Sequence, residues 1–145
     1  MLSFKDFTLQ IHELFDKPLK YRESIESDII KYNFFIGDSE CVVTLTNRPK
    51  HLLHIEFSVD GVITILNSKG NAIKIFSTIF EIVNKFLENN DNIKIIAFES
   101  DLNEPSRIKL YDRIVNLFKP NFVDNSRIEV YGENGKYKKY ILNRK

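Results

Sequence analysis

Cysteine is almost absent from this chain of 145 residues: Cys41 stands alone. A single thiol forms no intramolecular disulfide and makes no thiolate-based zinc site. A reducing compartment fits it best, and a cytoplasmic location is expected. Net charge is equally scarce. The 21 Lys and Arg nearly cancel the 20 Asp and Glu, leaving +1. That exerts no general pull on nucleic acid or an anionic membrane, and neither is expected as a partner. No apolar run approaches the ~20 residues of a membrane span. The opening "MLSFKDFTLQIHELF" carries charges through its apolar pattern and has no small-residue cleavage site, so it does not read as a signal peptide. Linkers, repeats and low-complexity stretches are missing. What remains is 43% hydrophobic and 28% charged, enough to bury one ordinary core and stay hydrated.

The hydrophobic period changes along the chain. Phe4, Phe7, Ile11, Leu14 and Phe15 recur at helical spacing, with Ser3 as a cap and Pro18 just past the end. "YRESIESD" shows no clear period. "IIKYNFFI", "CVVTLTN", "LLHIEFSV" and "VITILN" then read as four short strands in an antiparallel meander. Asp60-Gly61 is a two-residue hairpin signal. Ile73, Ile75, Phe76, Ile79, Phe80, Ile82, Val83 and Phe86 mark a strongly apolar helix. "IKIIAF" suits a strand covered on both faces. "EPSRIKLYDRIVNLF" suits a helix opened by Glu104 and Pro105, with Ile108, Tyr111 or Leu110, Ile114, Leu117 and Phe118 buried. "FVDNSRIEVYG" and "KYKKYILN" close as a hairpin.

The expectation is a single mixed α/β domain over 1–145. It has an N-terminal helix (1–20), antiparallel strands (29–67), a helix (68–90), a strand (92–99), a second helix (104–118) and a hairpin (122–143). The step from "VITIL" through the first long helix to "IKIIAF" should be a right-handed parallel crossover.

Two stretches carry candidate chemistry. The first is Asn67-Ser68-Lys69-Gly70-Asn71-Ala72, where strand gives way to helix. Unpaired N–H groups at a helix start, with the positive dipole end, can hold a phosphate. A plain turn with Gly70 chosen for backbone freedom reads the same way. The second is "NEPSRIKLYDRI", where Tyr111 is either functional or a core aromatic. Order and motifs together resemble the GCN5-related N-acetyltransferases (GNAT). In that family a meander leads into a Gln/Arg-x-x-Gly-x-Gly/Ala loop and a helix, then a parallel strand, a second helix and a closing hairpin. The resemblance covers roughly residues 29 to 143 in element order.

The resemblance implies that Asn67, Lys69, Gly70, Asn71 and Ala72 wrap the pyrophosphate of acetyl-CoA. Leu110-Tyr111-Asp112-Arg113 matches the centre of the family's Leu-Tyr-(Glu/Asp)-(Lys/Arg)-x-Gly-Phe motif, which makes Tyr111 the candidate acid toward the departing thiolate. Asn67 stands where Gln or Arg is usual, and Val115-Asn116 where Gly-Phe is usual. An N-terminal helix replaces the family's opening strand and helices. Glu56 and Glu99 are the candidate bases. The "EPSRIKLYDR" run is also similar to small bacteriophage proteins, which implies host cytoplasm or virion.

Other features read blandly. His51 and His54 fall on opposite faces of a strand, so no metal is expected. Cys41 reads as a small packed residue. The "KYKKYILNRK" tail interleaves Lys with Tyr, a pattern that can contact nucleic acid or an acidic partner surface; with net charge +1 the expectation is a lysine-blunted edge strand, and a nucleic-acid-binding module ranks third. Two functions follow, the first expected and the second its alternative. One is a non-catalytic GNAT-like domain serving as a protein-binding or assembly component, with a protein partner or a homo-oligomer. The other is an acyl-CoA-dependent N-acetyltransferase with direct amine attack on the thioester.

Overall fold

The structure is a computed structural model and describes residues 18–47, 49–59, 69–131 and 135–145. The predicted N-terminal helix, the "VITIL" strand, the Asp60-Gly61 turn and Asn67 lie outside the described residues. Within them the order is β1 (Arg22–Glu26), β2 (Ile29–Ile36), β3 (Ser39–Thr46), β4 (Leu52–Val59), α1 (Lys69–Glu88), β5 (Ile95–Asp101), α2 (Pro105–Phe118), β6 (Phe122–Asp124), β7 (Arg127–Tyr131) and β8 (Gly135–Arg144). All eight strands form one sheet in the order β1-β2-β3-β4-β5-β8-β6, with β7 also on β8.

Period-two patterning builds the meander. Tyr32, Phe34 and Ile36, then Cys41, Val43 and Leu45, then Leu53, Ile55 and Phe57 are all buried. Alternate residues share a face, so these nine side chains make one apolar surface. Helix α1 is too apolar to have one dry side only. Ile75 to Phe80 are buried without interruption, Ser77 and Thr78 included. Thr78 Oγ1 donates to the Lys74 carbonyl at 2.7 Å and accepts from the Leu19 N–H at 2.9 Å. Helix α2 lies beside α1, with the Phe80 and Phe118 rings 5.1 Å apart. Its buried residues are Leu110, Tyr111, Ile114, Val115 and Phe118, so the stripe turns slightly from the one expected.

Three expectations are corrected. The exposed β1 pairs with β2 although its sequence shows no period. Every residue of β1 is exposed, so no buried face imposes an alternation. Among the described residues the parallel partner of β5 is β4, paired at Leu52↔Ile95, Leu53↔Ile96 and His54↔Ala97, whereas the parallel step was expected to start from "VITIL". The lysine-rich β8 is an interior strand, with β5 on one side and β6 and β7 on the other. Its lysines project from the sheet faces: Lys138 Nζ lies 4.8 Å from the Tyr140 ring centroid and donates to Asp112 Oδ1 at 2.9 Å. Long stems cover aromatic surface while the ammonium reaches a carboxylate. The residues of β6 and β7 keep one register against β8, from Asp124↔Leu142 to Arg127↔Lys139.

The β1–β2 and β2–β3 connections are two-residue turns that need a left-handed residue. Ser27 and Gly37 both have φ of 58°. A Cβ added at Gly37 would meet nothing within 4 Å, so only backbone strain opposes it. Gly37→Ala is therefore expected to lose about 1 kcal/mol and Ser27→Gly to gain up to about 1 kcal/mol, read by urea unfolding.

Candidate functional site

Strands β4 and β5 stay together for only three residue pairs. Beyond His54, β4 continues on β3 up to Val59, and beyond Ala97, β5 continues on β8 up to Asp101. The two strands therefore part, and a cavity of about 600 Å³ opens between them. Glu56, Phe57 and Ser58 line it from β4, and Glu99, Ser100 and Asp101 from β5. Glu104, Arg107 and Tyr111 come from α2 and its lead-in, and Tyr137 from β8.

Strand alternation sorts these residues. Phe57 and Phe98 face the helices and are buried at 2%. His54, Glu56, Glu99 and Asp101 have the other parity and face the opposite side. Because His54 is level with Ala97, Glu56 is level with Glu99 across the gap. The cavity is thus lined by side chains of both parities. Carboxylates flank one mouth, and Tyr111 and Arg107 form the floor on the helix side. Glu56 is open to water and 3.7 Å from His54 Nδ1.

Tyr111 is the most constrained of the candidates. It is 2% exposed. Its ring meets Phe98 edge-on at 5.0 Å and Tyr140 at 5.7 Å, and Phe98 and Tyr140 stack at 4.8 Å. Tyr140 is fixed in turn by donating its O–H to Asp112 Oδ1 at 2.7 Å. Burial pushes the Tyr111 phenol up to about 12, against the charge and hydrogen bond of Arg107, which lower it. It is protonated throughout the physiological range. Arg107 Nη1 donates to the Phe57 carbonyl at 2.8 Å, and Arg107 Nε lies 3.0 Å from Glu104 Oε2. Glu104 makes no side-chain cap to α2 and pairs with Arg107 instead.

Of the sequence-derived candidates, Tyr111, Glu56 and Glu99 line one cavity. Lys69, Gly70, Asn71 and Ala72 form the first turn of α1, so Gly70 is helical rather than part of a preceding loop. The N–H groups of Lys69, Gly70 and Asn71 are among those an α-helix leaves without intrahelical partners. Sequence reasoning missed Arg107. Its only signal was a position one turn before Tyr111, where i and i+4 side chains meet. Among the described residues no group of three or more His, Cys, Asp or Glu is placed to hold a metal, and no helix is long and apolar enough to cross a membrane.

Solved structures that share this fold are GNAT acetyltransferases. The fold matches RimL, a ribosomal-protein α-N-acetyltransferase in complex with coenzyme A, with TM-score 0.57 at 10% identity over 94% of this chain and 67% of that one. It matches N-acetyltransferase PseH of Campylobacter jejuni with TM-score 0.50 at 13% identity, covering 83% and 71%. A spermidine N-acetyltransferase SpeG chimera from Vibrio cholerae and hSSAT gives TM-score 0.53 at 12% identity, covering 81% and 68%. No protein-family model and no curated protein matches the sequence. The chain has the GNAT fold, and at these identities the likeness is one of fold.

The buried phenol yields a test. Tyrosine titrates near 10 when unfolded and Tyr111 at about 12 when folded. A raised phenol stabilises the fold fully below pH 10 and loses that contribution as pH rises through 12. Two units correspond to about 3 kcal/mol at most. Tyr111→Phe should therefore lose less stability than wild type between pH 10 and 12, measured by denaturant unfolding at each pH.

Proposed function

We propose that the protein is an acyl-CoA-dependent N-acyltransferase of GNAT type. The observation that carries this reading is the split between β4 and β5, which gathers Tyr111, Glu56 and Glu99 around one cavity. The acyl donor supplies a thioester whose carbonyl carbon an amine can attack directly. The chain's residues supply the rest. The first turn of α1, Lys69–Ala72, offers N–H groups to the pyrophosphate of acetyl-CoA, a role that the resemblance also gives to Asn67. Backbone groups on the open edge of β4 polarise the carbonyl oxygen. Glu56 or Glu99, at the wet mouth, takes the proton that the amine loses on forming the C–N bond. Tyr111 gives its proton to the sulfur as the C–S bond breaks, and regains one from solvent.

A second reading, a non-catalytic protein-binding or assembly component, is favoured by two observations. Val115, where the family has Gly, is buried in the core at 4% exposure. The outer strand β7 exposes Ile128 and Val130 at 60% and 63%, a surface suited to a partner chain or a second copy.

Calorimetric titration with acetyl-CoA separates the two. Saturable micromolar binding is expected, and Gly70→Glu should weaken it at least tenfold by placing a carboxylate at the anion site. No heat at millimolar ligand, together with a defined homo-oligomer in light scattering, would establish the second reading. With an accepted amine, Tyr111→Phe should lower kcat roughly 100-fold while binding of acetyl-CoA persists.

A further inference from the structure

The backbone of β4 shows how the split is held open. Just before β4, the His51 carbonyl accepts from the N–H groups of Lys94 and Ile95 at 2.8 and 3.2 Å, so it faces β5. Backbone groups alternate along a strand, so Leu53, Ile55 and Phe57 turn the same way. At Phe57 the neighbouring strand has gone, and the carbonyl accepts from Arg107 Nη1 at 2.8 Å instead. The same guanidinium is fixed by Glu104 at 3.0 Å and lies 6.0 Å from the Phe57 ring centroid. Its side chain is only 18% exposed, where a fixed charge acts strongly. Tyr111 stands one turn further along α2, in the same cavity wall.

We propose that Arg107 is a positioning residue of this site: it replaces β5 as hydrogen-bond partner of the open β4 edge and sets its fixed charge one helical turn from Tyr111 in the same cavity wall. Its catalytic meaning rests on the acyl-transfer reading, but its geometry does not require a bound donor. The charge balance around Tyr111 is defined on every side. Arg107 and Glu104 come from α2 and its lead-in. Tyr140, bonded to Asp112, and Tyr137 come from β8. His54 and Glu56 on β4 and Glu99 and Asp101 on β5 line the cavity.

The test is the titration of Tyr111 in the free protein. With 3-fluorotyrosine in place of tyrosine, fluorine NMR follows each phenol in an accessible pH range, and Tyr111→Phe assigns the resonance. Arg107→Met should raise the Tyr111 midpoint by about one pH unit, because a cation that favours the phenolate is gone. Arg107→Lys, which keeps the charge, should stay near wild type. Glu104→Gln should lower the midpoint. A merely structural Arg107 gives the opposite sign: loosening α2 would hydrate the phenol and bring the Arg107→Met midpoint down. A fallen or unchanged midpoint in Arg107→Met overturns the proposal. Should that variant fail to fold, an unchanged or raised midpoint in Glu104→Gln overturns it equally. The measurement uses no acetyl-CoA, so it stands apart from the failure or success of the acyl-transfer reading.

Discussion

The site depends on one constraint: β4 and β5 cannot remain paired along their whole length. Each strand has a second neighbour that holds it to a different path. Strand β4 keeps β3 as far as Val59, and β5 keeps β8 as far as Asp101. After three shared pairs the ladder between them ends. Ending a ladder in the middle of a sheet exposes backbone groups that must find partners. One of them, the Phe57 carbonyl, finds Arg107. The rest of the open edge is what makes the cavity useful, because backbone N–H and C=O groups are strong and fixed in direction.

Helix α2 has to be rigid for this arrangement to persist. Its Tyr111 is clamped by Phe98 from β5 and Tyr140 from β8, and each aromatic contact is worth about 0.5–1.5 kcal/mol beyond simple burial. Asp112 joins the Tyr140 hydroxyl and the Lys138 ammonium, tying the exposed side of α2 to the same strand. The "LYDR" run thus acts as a unit: Tyr111 turns inward to the split, and Asp112 anchors the helix that carries it. At the other end, Phe118 meets Phe80 of α1 and Phe122 of β6, so α2 is held along its length.

Much of the fold was legible because buried alternation and helical stripes leave a strong period. Strands β2, β3 and β4 and both long helices announce themselves this way. The signal fails where burial is lopsided or absent. Strand β1 is exposed throughout and shows no period. Strand β8 carries so many lysines that it reads as an edge, yet its stems lie on the sheet faces. Pairing is harder still: nothing local in "LLHIEFSV" says that its first three residues meet β5. For the site, Tyr111, Glu56 and Glu99 came from motif and position, and the fold brings them to one cavity. Arg107 was invisible because its role is to cap a carbonyl fifty residues away, a relation no local pattern encodes.

The proposed acyl-CoA site joins the parted edge of β4 to the first turn of α1. Amide hydrogen exchange with and without saturating acetyl-CoA tests it most directly. Slowed exchange is expected at residues 55–59 and 69–72, with β1, β6 and β7 unchanged. Exchange that is unaltered at both places, or slowed only at the outer strands, would contradict it.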